Sequence, residues 1–319
     1  MSKIAYLFPG QASQYAGMGL DLYQKFPEAK AVFDQADAAL GLPISKICFE
    51  GTEEDLKLTE NTQPAIMAVS IAAFRVLAQK APAPDYVAGH SLGEFSALVA
   101  AESLDFADAV RLVRDRGRYM QEAVPAGQGA MAAILGLAPA LVAEICRRAS
   151  DGEIVAPANL NAPEQTVISG SAAAVKRAVE LASQSGAKRA VMLPVSAPFH
   201  SEMMKPAEER LAADLQHTTF RDLTVPLVTN VDAEPITSGE EARAALIRQV
   251  RQPVRWEESV RELIGLGVAL FVEVGPGRVL SGLVRQIDRS VRVANVEDEE
   301  SLTVALEKFS REPAASNES

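Results

Sequence analysis

The chain has 319 residues, more than one hydrophobic core usually supports, so its length favours one large domain that carries a smaller inserted one. The formal net charge of −11 argues against a nucleic-acid-binding or anionic-membrane-binding surface, because either needs an excess of Lys and Arg. The two cysteines, Cys48 and Cys146, lie in unrelated contexts without a neighbouring histidine, so neither a disulfide framework nor a metal site is expected.

The N-terminal stretch lacks the pattern of a signal peptide. It has one basic residue and a short apolar run, and no apolar stretch of 18 residues follows anywhere in the chain. A cytoplasmic location without a membrane partner is therefore expected.

Strands and helices alternate through the first 125 residues. A compact apolar run stopped by Pro9-Gly10 predicts a buried first strand, and the loop after it carries Gln11. The predicted elements are a strand over Ile4–Phe8, one or two helices over Asp21–Leu40, a helix capped by Asn61-Thr62-Gln63-Pro64 that continues through Leu77, a strand over Tyr86–Ala88 and a helix over Phe106–Val124.

The next seventy or so residues follow a different pattern. The order strand, helix, strand, strand, helix, strand is typical of a ferredoxin-like unit with its own small sheet. We therefore predict an inserted α+β subdomain at 126–197. Its predicted elements are Gly129–Leu137, Pro139–Ala149, Glu153–Leu160, Gln165–Ser169, Ala172–Ser185 and Ala190–Val195.

Alternation of strands and helices resumes after the insertion. This pattern on both sides of the subdomain predicts the α/β class, with a mostly parallel sheet covered on both faces by a discontinuous domain of residues 1–125 and 198–311. Residues 312–319 are predicted to be a disordered tail. The later predicted elements are Met203–Leu215, Val225–Asn230, Glu240–Val250, Trp256–Leu266, Ala269–Val274 and Val279–Ile287.

A serine at position 91 lies in a motif typical of a catalytic nucleophile. Gly89-His90-Ser91-Leu92-Gly93 matches G-x-S-x-G between an apolar strand and a helix-favouring segment, as a nucleophile elbow requires. The two glycines leave room for a strained turn that exposes the Ser91 hydroxyl. The helix after the turn directs free N–H groups at the site, and the N–H of Leu92 is the first candidate to stabilise an oxyanion.

A serine hydroxyl needs a base, and the chain has three histidines. His90 directly precedes Ser91, so its side chain should diverge from that of the serine and suit packing or substrate contact. His217 lies among polar residues and is expected at the surface. His200 follows a predicted strand, a position where functional residues collect, and is therefore the predicted base.

A third member of a catalytic triad does not stand out. Asp222, Asp232 and Glu273 are nominal acids, while a backbone or side-chain carbonyl is an alternative partner for the imidazole. Two glutamines near the end of a predicted helix, Gln249 and Gln252, are candidates for that alternative.

Several short motifs lie across residues 3 to 305, in the order and at the spacing found in one known protein family. They are Phe8-Pro9-Gly10-Gln11, Gly89-His90-Ser91-Leu92-Gly93-Glu94, Arg116-Gly117-Arg118-Tyr119-Met120, Gly129-Ala130-Met131, Asn159-Leu160-Asn161-Ala162-Pro163, Ser196-Ala197-Pro198-Phe199-His200 and Glu273-Val274-Gly275-Pro276-Gly277. With them the chain resembles the bacterial malonyl-CoA:acyl carrier protein transacylases and, more widely, the acyltransferase domains of fatty-acid and polyketide synthases. That resemblance implies an α/β-hydrolase-like domain interrupted by a ferredoxin-like one.

The resemblance also implies a role for each matching residue. Ser91 attacks the thioester and becomes malonylated, His200 is its base, and Gln11 forms the oxyanion hole with the N–H of Leu92. Arg116 binds the free carboxylate of the malonyl group, a task suited to a planar guanidinium. Gln249 orients the histidine, and the residues expected beside the acyl or pantetheine pocket are His90 and Asn161. The implied partners are malonyl-CoA and an acyl carrier protein, with no cofactor and a monomeric enzyme.

Three other functions remain open. A serine thioesterase or esterase shares the nucleophile and base, although it normally has an acidic triad member and needs no buried arginine. A non-catalytic docking module for carrier proteins would have no reason to retain Ser91, His200 and Gln11 together. A trans-acting polyketide acyltransferase that uses another extender unit is the third.

Overall fold

The strands of the chain form two separate sheets. The computed structural model describes residues 3–195 and 197–310, and the predicted tail at 312–319 lies outside them. Within the described residues the strands are β1 (Lys3–Phe8), β2 (Tyr86–Gly89), β3 (Gly129–Leu135), β4 (Val155–Ala162), β5 (Gln165–Ser171), β6 (Arg189–Met192), β7 (Leu227–Val228), β8 (Pro235–Ile236), β9 (Val268–Val274) and β10 (Arg292–Val296).

Helices surround both sheets. They are α1 (Leu20–Lys25), α2 (Pro27–Leu40), α3 (Ile44–Glu50), α4 (Glu53–Lys57), α5 (Thr59–Ala78), α6 (Gly93–Ala100), α7 (Phe106–Glu122), α8 (Pro139–Ser150), α9 (Ala172–Gln184), α10 (Lys205–Gln216), α11 (Gly239–Gln249), α12 (Trp256–Gly265), α13 (Val279–Ile287) and α14 (Glu299–Ser310). None of the helices in the described part of the chain has the length and apolar character needed to cross a lipid bilayer.

The larger sheet positions the candidate nucleophile. Its order among the described residues is β10-β9-β1-β2-β7-β8, with parallel pairing throughout except for the antiparallel pair of β7 and β8. In the central strand β1 the residues from Ala5 to Phe8 are buried, because helices cover both faces, as in other parallel sheets. Carboxyl ends of neighbouring parallel strands share one edge, so Gln11 after β1 and Ser91 after β2 are brought to the same edge.

The smaller sheet is antiparallel, with the described order β4-β5-β3-β6. Apolar side chains of α8 and α9 pack against it to form a separate core that includes Ile134, Ile145 and Val175. One antiparallel and one parallel-rich sheet confirm the predicted fold class, whereas the residue boundaries of the subdomain stay a prediction.

Two backbone hydrogen bonds join β4 to the segment before α12, from Leu160 N to Val254 O and from Val254 N to Ala158 O, both 2.9 Å.

Some predicted elements differ from those observed. α5 begins at Thr59, before the predicted cap, and the side chains of Asn61 and Thr62 bond back to carbonyls of α4 and of Leu58. β7 is shorter than predicted, since the N–H of Asn230 donates to a side chain and not to a neighbouring strand. β10 and α14 were not predicted from the sequence.

Gly117 allows α7 to lie close to the start of α5. A Cβ atom at Gly117 would lie 2.5 Å from the carbonyl oxygen of Thr59. The backbone of α5 cannot yield as a flexible side chain would, so any side chain at this position overpacks the contact between the helices.

We therefore expect Gly117→Ala to lower the midpoint of thermal unfolding. Overpacking costs about 1–3 kcal/mol, more than the ~1 kcal/mol by which Ala exceeds Gly in helix propensity. Gly282→Ala in α13 is the matched control, because a Cβ there has no atom within 4 Å and should keep the propensity gain. An equal rise of both midpoints, measured by circular dichroism, would contradict this account of Gly117.

Candidate active site

The turn between β2 and α6 holds Ser91 in a strained conformation. Its φ is 52°, in the left-handed region that residues other than glycine rarely adopt. A Cβ at Gly93 would collide with the carbonyl of Phe8, and one at Gly89 with the backbone of Gly93. The glycines thus let β1, β2 and α6 meet closely enough to force the turn that presents the serine hydroxyl.

The Ser91 hydroxyl lies within hydrogen-bond distance of His200. Ser91 Oγ is 2.8 Å from His200 Nε2, and His200 Nδ1 is 2.8 Å from the main-chain carbonyl oxygen of Gln249. A carbonyl oxygen only accepts, so Nδ1 carries the imidazole proton and Nε2 presents its lone pair to the serine. This is the tautomer that a general base needs.

The three nominal acids lie in other hydrogen bonds. Asp222 accepts from the N–H of Gly239 at the start of α11, and Asp232 pairs with Arg248. Glu273 accepts from two N–H groups at the start of α13. The described residues therefore place a neutral main-chain oxygen, and no carboxylate, on the imidazole.

Arg116 lies beside the serine in the interior of the protein. It is 1% exposed, and its Nη2 donates to Ser91 Oγ and to Gln249 Oε1, both at 3.0 Å. Its Nη1 donates to Gln63 Oε1 at 2.8 Å. By contrast, Arg118 pairs with Asp115 at the surface. Among the described residues, every acceptor of Arg116 is a neutral oxygen, so the cation remains able to attract an anion.

Two backbone donors face no acceptor near the serine. Within the described residues, the N–H groups of Gln11 and Leu92 make no hydrogen bond. The side-chain Oε1 of Gln11 accepts from Gln63 Nε2 at 3.4 Å, which links this loop to the residue that holds Arg116. Free N–H groups at the ends of β1 and β2 suit an oxygen that gains negative charge.

The side chain of His90 points to the smaller sheet. Its Nε2 is 2.9 Å from Asn161 Oδ1 on β4, and its ring lies 5.5 Å from that of Trp256. Burial lowers the pKa of His90, so a neutral ring suits this position. His90 and Asn161 thus form a polar contact between the two sheets, while His217 is exposed.

Glu94, Asn230 and Gln63 belong to the site but were not predicted to do so from the sequence. Asn230 Oδ1 accepts from the N–H of Ser91 at 2.7 Å, and its own N–H donates to Glu94 Oε2 at 2.9 Å. Gln63, predicted to cap a helix, bonds to Arg116 instead. The sequence contains one indication for Glu94, because it is the charged residue in a helix whose other side chains are apolar or small.

Burial sets the charges of the site. It lowers the pKa of His200 to about 3, with a further contribution from the positive charge of Arg116, so the imidazole is neutral near pH 7. Burial also lowers the pKa of Arg116 to about 10, which leaves the guanidinium charged at neutral pH. The site therefore combines a neutral base with a cation beside the same hydroxyl.

Known proteins share this architecture. Residues 5–308 match the family described as the acyl transferase domain. The malonyl CoA-acyl carrier protein transacylase of Bacillus subtilis (strain 168) is 50% identical over 313 residues, 98% of this chain and 99% of that protein. The solved malonyl CoA-acyl carrier protein transacylase of Coxiella burnetii has a TM-score of 0.95 and 41% identity, over 97% of this chain and 98% of that one.

A second solved relative is a malonyl-transacylase in complex with a type II PKS acyl-carrier protein, with a TM-score of 0.94 and 45% identity over 96% of this chain and 100% of that one. These similarities cover nearly the whole length of both partners. The chain is an acyltransferase, and it belongs to the acyl transferase family.

The low pKa of His200 can be measured directly. We expect its imidazole to stay neutral, with the proton on Nδ1, at every pH down to about 5, because protonation would bury a second positive charge beside Arg116. Histidine ¹⁵N chemical shifts, assigned with a His200→Ala variant, report both the charge and the tautomer. An imidazolium signal from His200 at pH 6 would contradict the expectation.

Proposed function

We propose that the protein transfers a malonyl group from malonyl-CoA to the phosphopantetheine thiol of an acyl carrier protein, through an ester on Ser91. The observation that carries the proposal is the contact between Arg116 Nη2 and Ser91 Oγ. A buried cation on the nucleophile suits an acyl group that carries its own carboxylate, since an unpaired carboxylate would be costly to bury.

In the first half-reaction Ser91 Oγ attacks the thioester carbonyl and its proton passes to His200 Nε2. The carbonyl oxygen becomes an oxyanion that the N–H groups of Gln11 and Leu92 stabilise. The intermediate collapses, the C–S bond breaks, and the CoA sulfur leaves with the proton from His200. The product is a malonyl ester on Ser91.

The second half-reaction reverses these steps with a different thiol. The pantetheine thiol gives its proton to His200, attacks the ester carbonyl, and Ser91 regains its proton as the C–O bond breaks. The relative bound to an acyl-carrier protein supports a carrier protein as the acceptor. Supply of malonyl groups for fatty-acid or polyketide chain elongation is the corresponding role.

Arg116 changes partners when the acyl group arrives. In the free protein its donors contact Ser91, Gln249 and Gln63, whose oxygens carry no charge. A malonyl carboxylate is a stronger acceptor and matches the planar guanidinium with two parallel bonds. The exchange also removes a donor from Ser91 Oγ, which leaves the oxygen freer to attack.

The Ser91 ester is the first test. We expect Ser91→Ala to show no added mass after incubation with malonyl-CoA, because the attacking oxygen is missing. Ser96→Ala is the matched control, since this serine lies five residues further along the chain, on α6, and is fully buried. Wild-type protein should carry one malonyl group and pass it to carrier thiol faster than to water. Predominant release to water would favour the thioesterase, and an adduct on Ser91→Ala would contradict the assignment.

The second test concerns Arg116. We expect Arg116→Ala to keep its fold, to lose on the order of 10²–10³-fold in malonyl transfer, and to improve the acetyl-to-malonyl rate ratio at least about tenfold. The physical reason is the loss of the cation that pairs with the malonyl carboxylate. Arg118→Ala, two positions away and exposed, should change neither rate. If Arg118→Ala alone shifted the ratio, Arg118 would be the carboxylate-binding residue.

A further inference from the structure

Glu94 is a buried carboxylate without an assigned role. It lies in α6, whose residues are all buried, and is itself 0% exposed. Removing a carboxylate from water is costly unless hydrogen bonds or an opposite charge compensate it. The contacts of Glu94 therefore indicate what holds it in this helix.

One carboxylate oxygen of Glu94 accepts hydrogen bonds from two N–H donors. Oε2 accepts from Asn230 N at 2.9 Å and from Gln249 Nε2 at 3.0 Å, while among the described residues Oε1 makes no hydrogen bond. The same two residues hold the reacting groups. The side chain of Asn230 accepts from the N–H of Ser91, and the main-chain carbonyl of Gln249 accepts from His200.

The amide of Gln249 also connects Glu94 to the cation. Gln249 Oε1 accepts from Arg116 Nη2 at 3.0 Å while its Nε2 donates to Glu94. A cation, an amide and a carboxylate thus lie in one hydrogen-bonded chain. In the buried interior, the attraction between Arg116 and Glu94 across this amide is weakly screened.

We propose that Glu94 is a positioning residue for malonyl transfer, which aligns Ser91, His200 and Arg116 through the amides of Asn230 and Gln249 and supplies the counter-charge of Arg116 while no acyl carboxylate is bound. This inference rests on the function proposed above. The geometry makes a single carboxylate oxygen the common support of nucleophile, base and cation.

The charge of Glu94 has a consequence for selectivity. A malonyl carboxylate that binds Arg116 comes close to Glu94, and the two anions repel. An uncharged acetyl group lacks this repulsion. Removing the charge of Glu94 should therefore raise the malonyl-to-acetyl rate ratio, whereas removing Arg116 lowers it. The loss of charge-assisted bonds should also slow both reactions.

The experiment measures the rate of Ser91 acylation from malonyl-CoA and from acetyl-CoA. At pH 8 we expect Glu94→Gln to acylate about tenfold or more slowly with either donor and to raise the malonyl-to-acetyl ratio at least about threefold. Glu273→Gln is the matched control, because Glu273 is also fully buried but bonds to the start of α13. It should leave the ratio unchanged even if it lowers thermal stability.

A second arm compares two pH values in wild-type protein, so its main readout does not depend on how the variant folds. Burial raises the pKa of Glu94 to about 7, Arg116 on α7 opposes that rise, and Asp232 after β7 adds to it. Arg248 on α11 also interacts electrostatically with Glu94. Glu94 is ionised above this pKa, so the ratio should be higher at pH 6 than at pH 8, and Glu94→Gln should abolish the difference.

The outcomes separate this inference from the proposed function. If wild-type protein takes no malonyl group on Ser91, the proposed function fails. If wild-type protein is acylated but Glu94→Gln keeps the wild-type rates, or lowers both rates without raising the ratio, only the role of Glu94 is wrong. A raised ratio together with its lost pH dependence supports the role.

Discussion

The close approach of three backbone segments is the constraint on which the site depends. Gly93 lies so near the carbonyl of Phe8 that a methyl group does not fit, and Gly89 lies equally near Gly93. Because β1, β2 and α6 converge there, the intervening turn has no relaxed conformation, and Ser91 takes a φ of 52°. The same turn leaves the N–H of Leu92 without an acceptor in the described structure, so the strain and the free donor arise together.

Neutral side-chain amides lie between the charged groups around this turn. A glutamine or asparagine both donates and accepts, so it can bond a cation on one side and an anion on the other without adding net charge. Gln249 does so between Arg116 and Glu94, and Gln63 links Arg116 to the loop of Gln11. A direct ion pair would have saturated Arg116, whereas amide partners leave it able to exchange them for a substrate carboxylate.

Local patterns made the elbow and most of the fold predictable. An apolar run, two glycines and a helical segment are adjacent in the chain and predict the nucleophile elbow. Because the chain has few histidines, elimination was enough to predict His200 as the base. The hydrogen-bond acceptor of His200 could not be predicted from the sequence. Every residue has a main-chain carbonyl, and only the fold decides which one accepts from the imidazole. Asn230 and Gln63 were missed since their partners lie far away in sequence. The edge strand β10 was missed because its five residues, Arg292 to Val296, mix polar with apolar side chains and give only a weak strand pattern.

The neutral carbonyl on His200 suits a site that must keep a cation for its substrate. A carboxylate there would stabilise the imidazolium but would also compete with the substrate for Arg116. Burial lowers the pKa of His200, the charge of Arg116 contributes to that, and the bond to the neutral carbonyl only partly opposes it. In the proposed mechanism a malonyl carboxylate neutralises Arg116 as it binds, so the base becomes stronger when the correct acyl group is present. In the same proposed mechanism an acetyl group leaves the base weak, so that discrimination would extend from binding into the proton transfer itself.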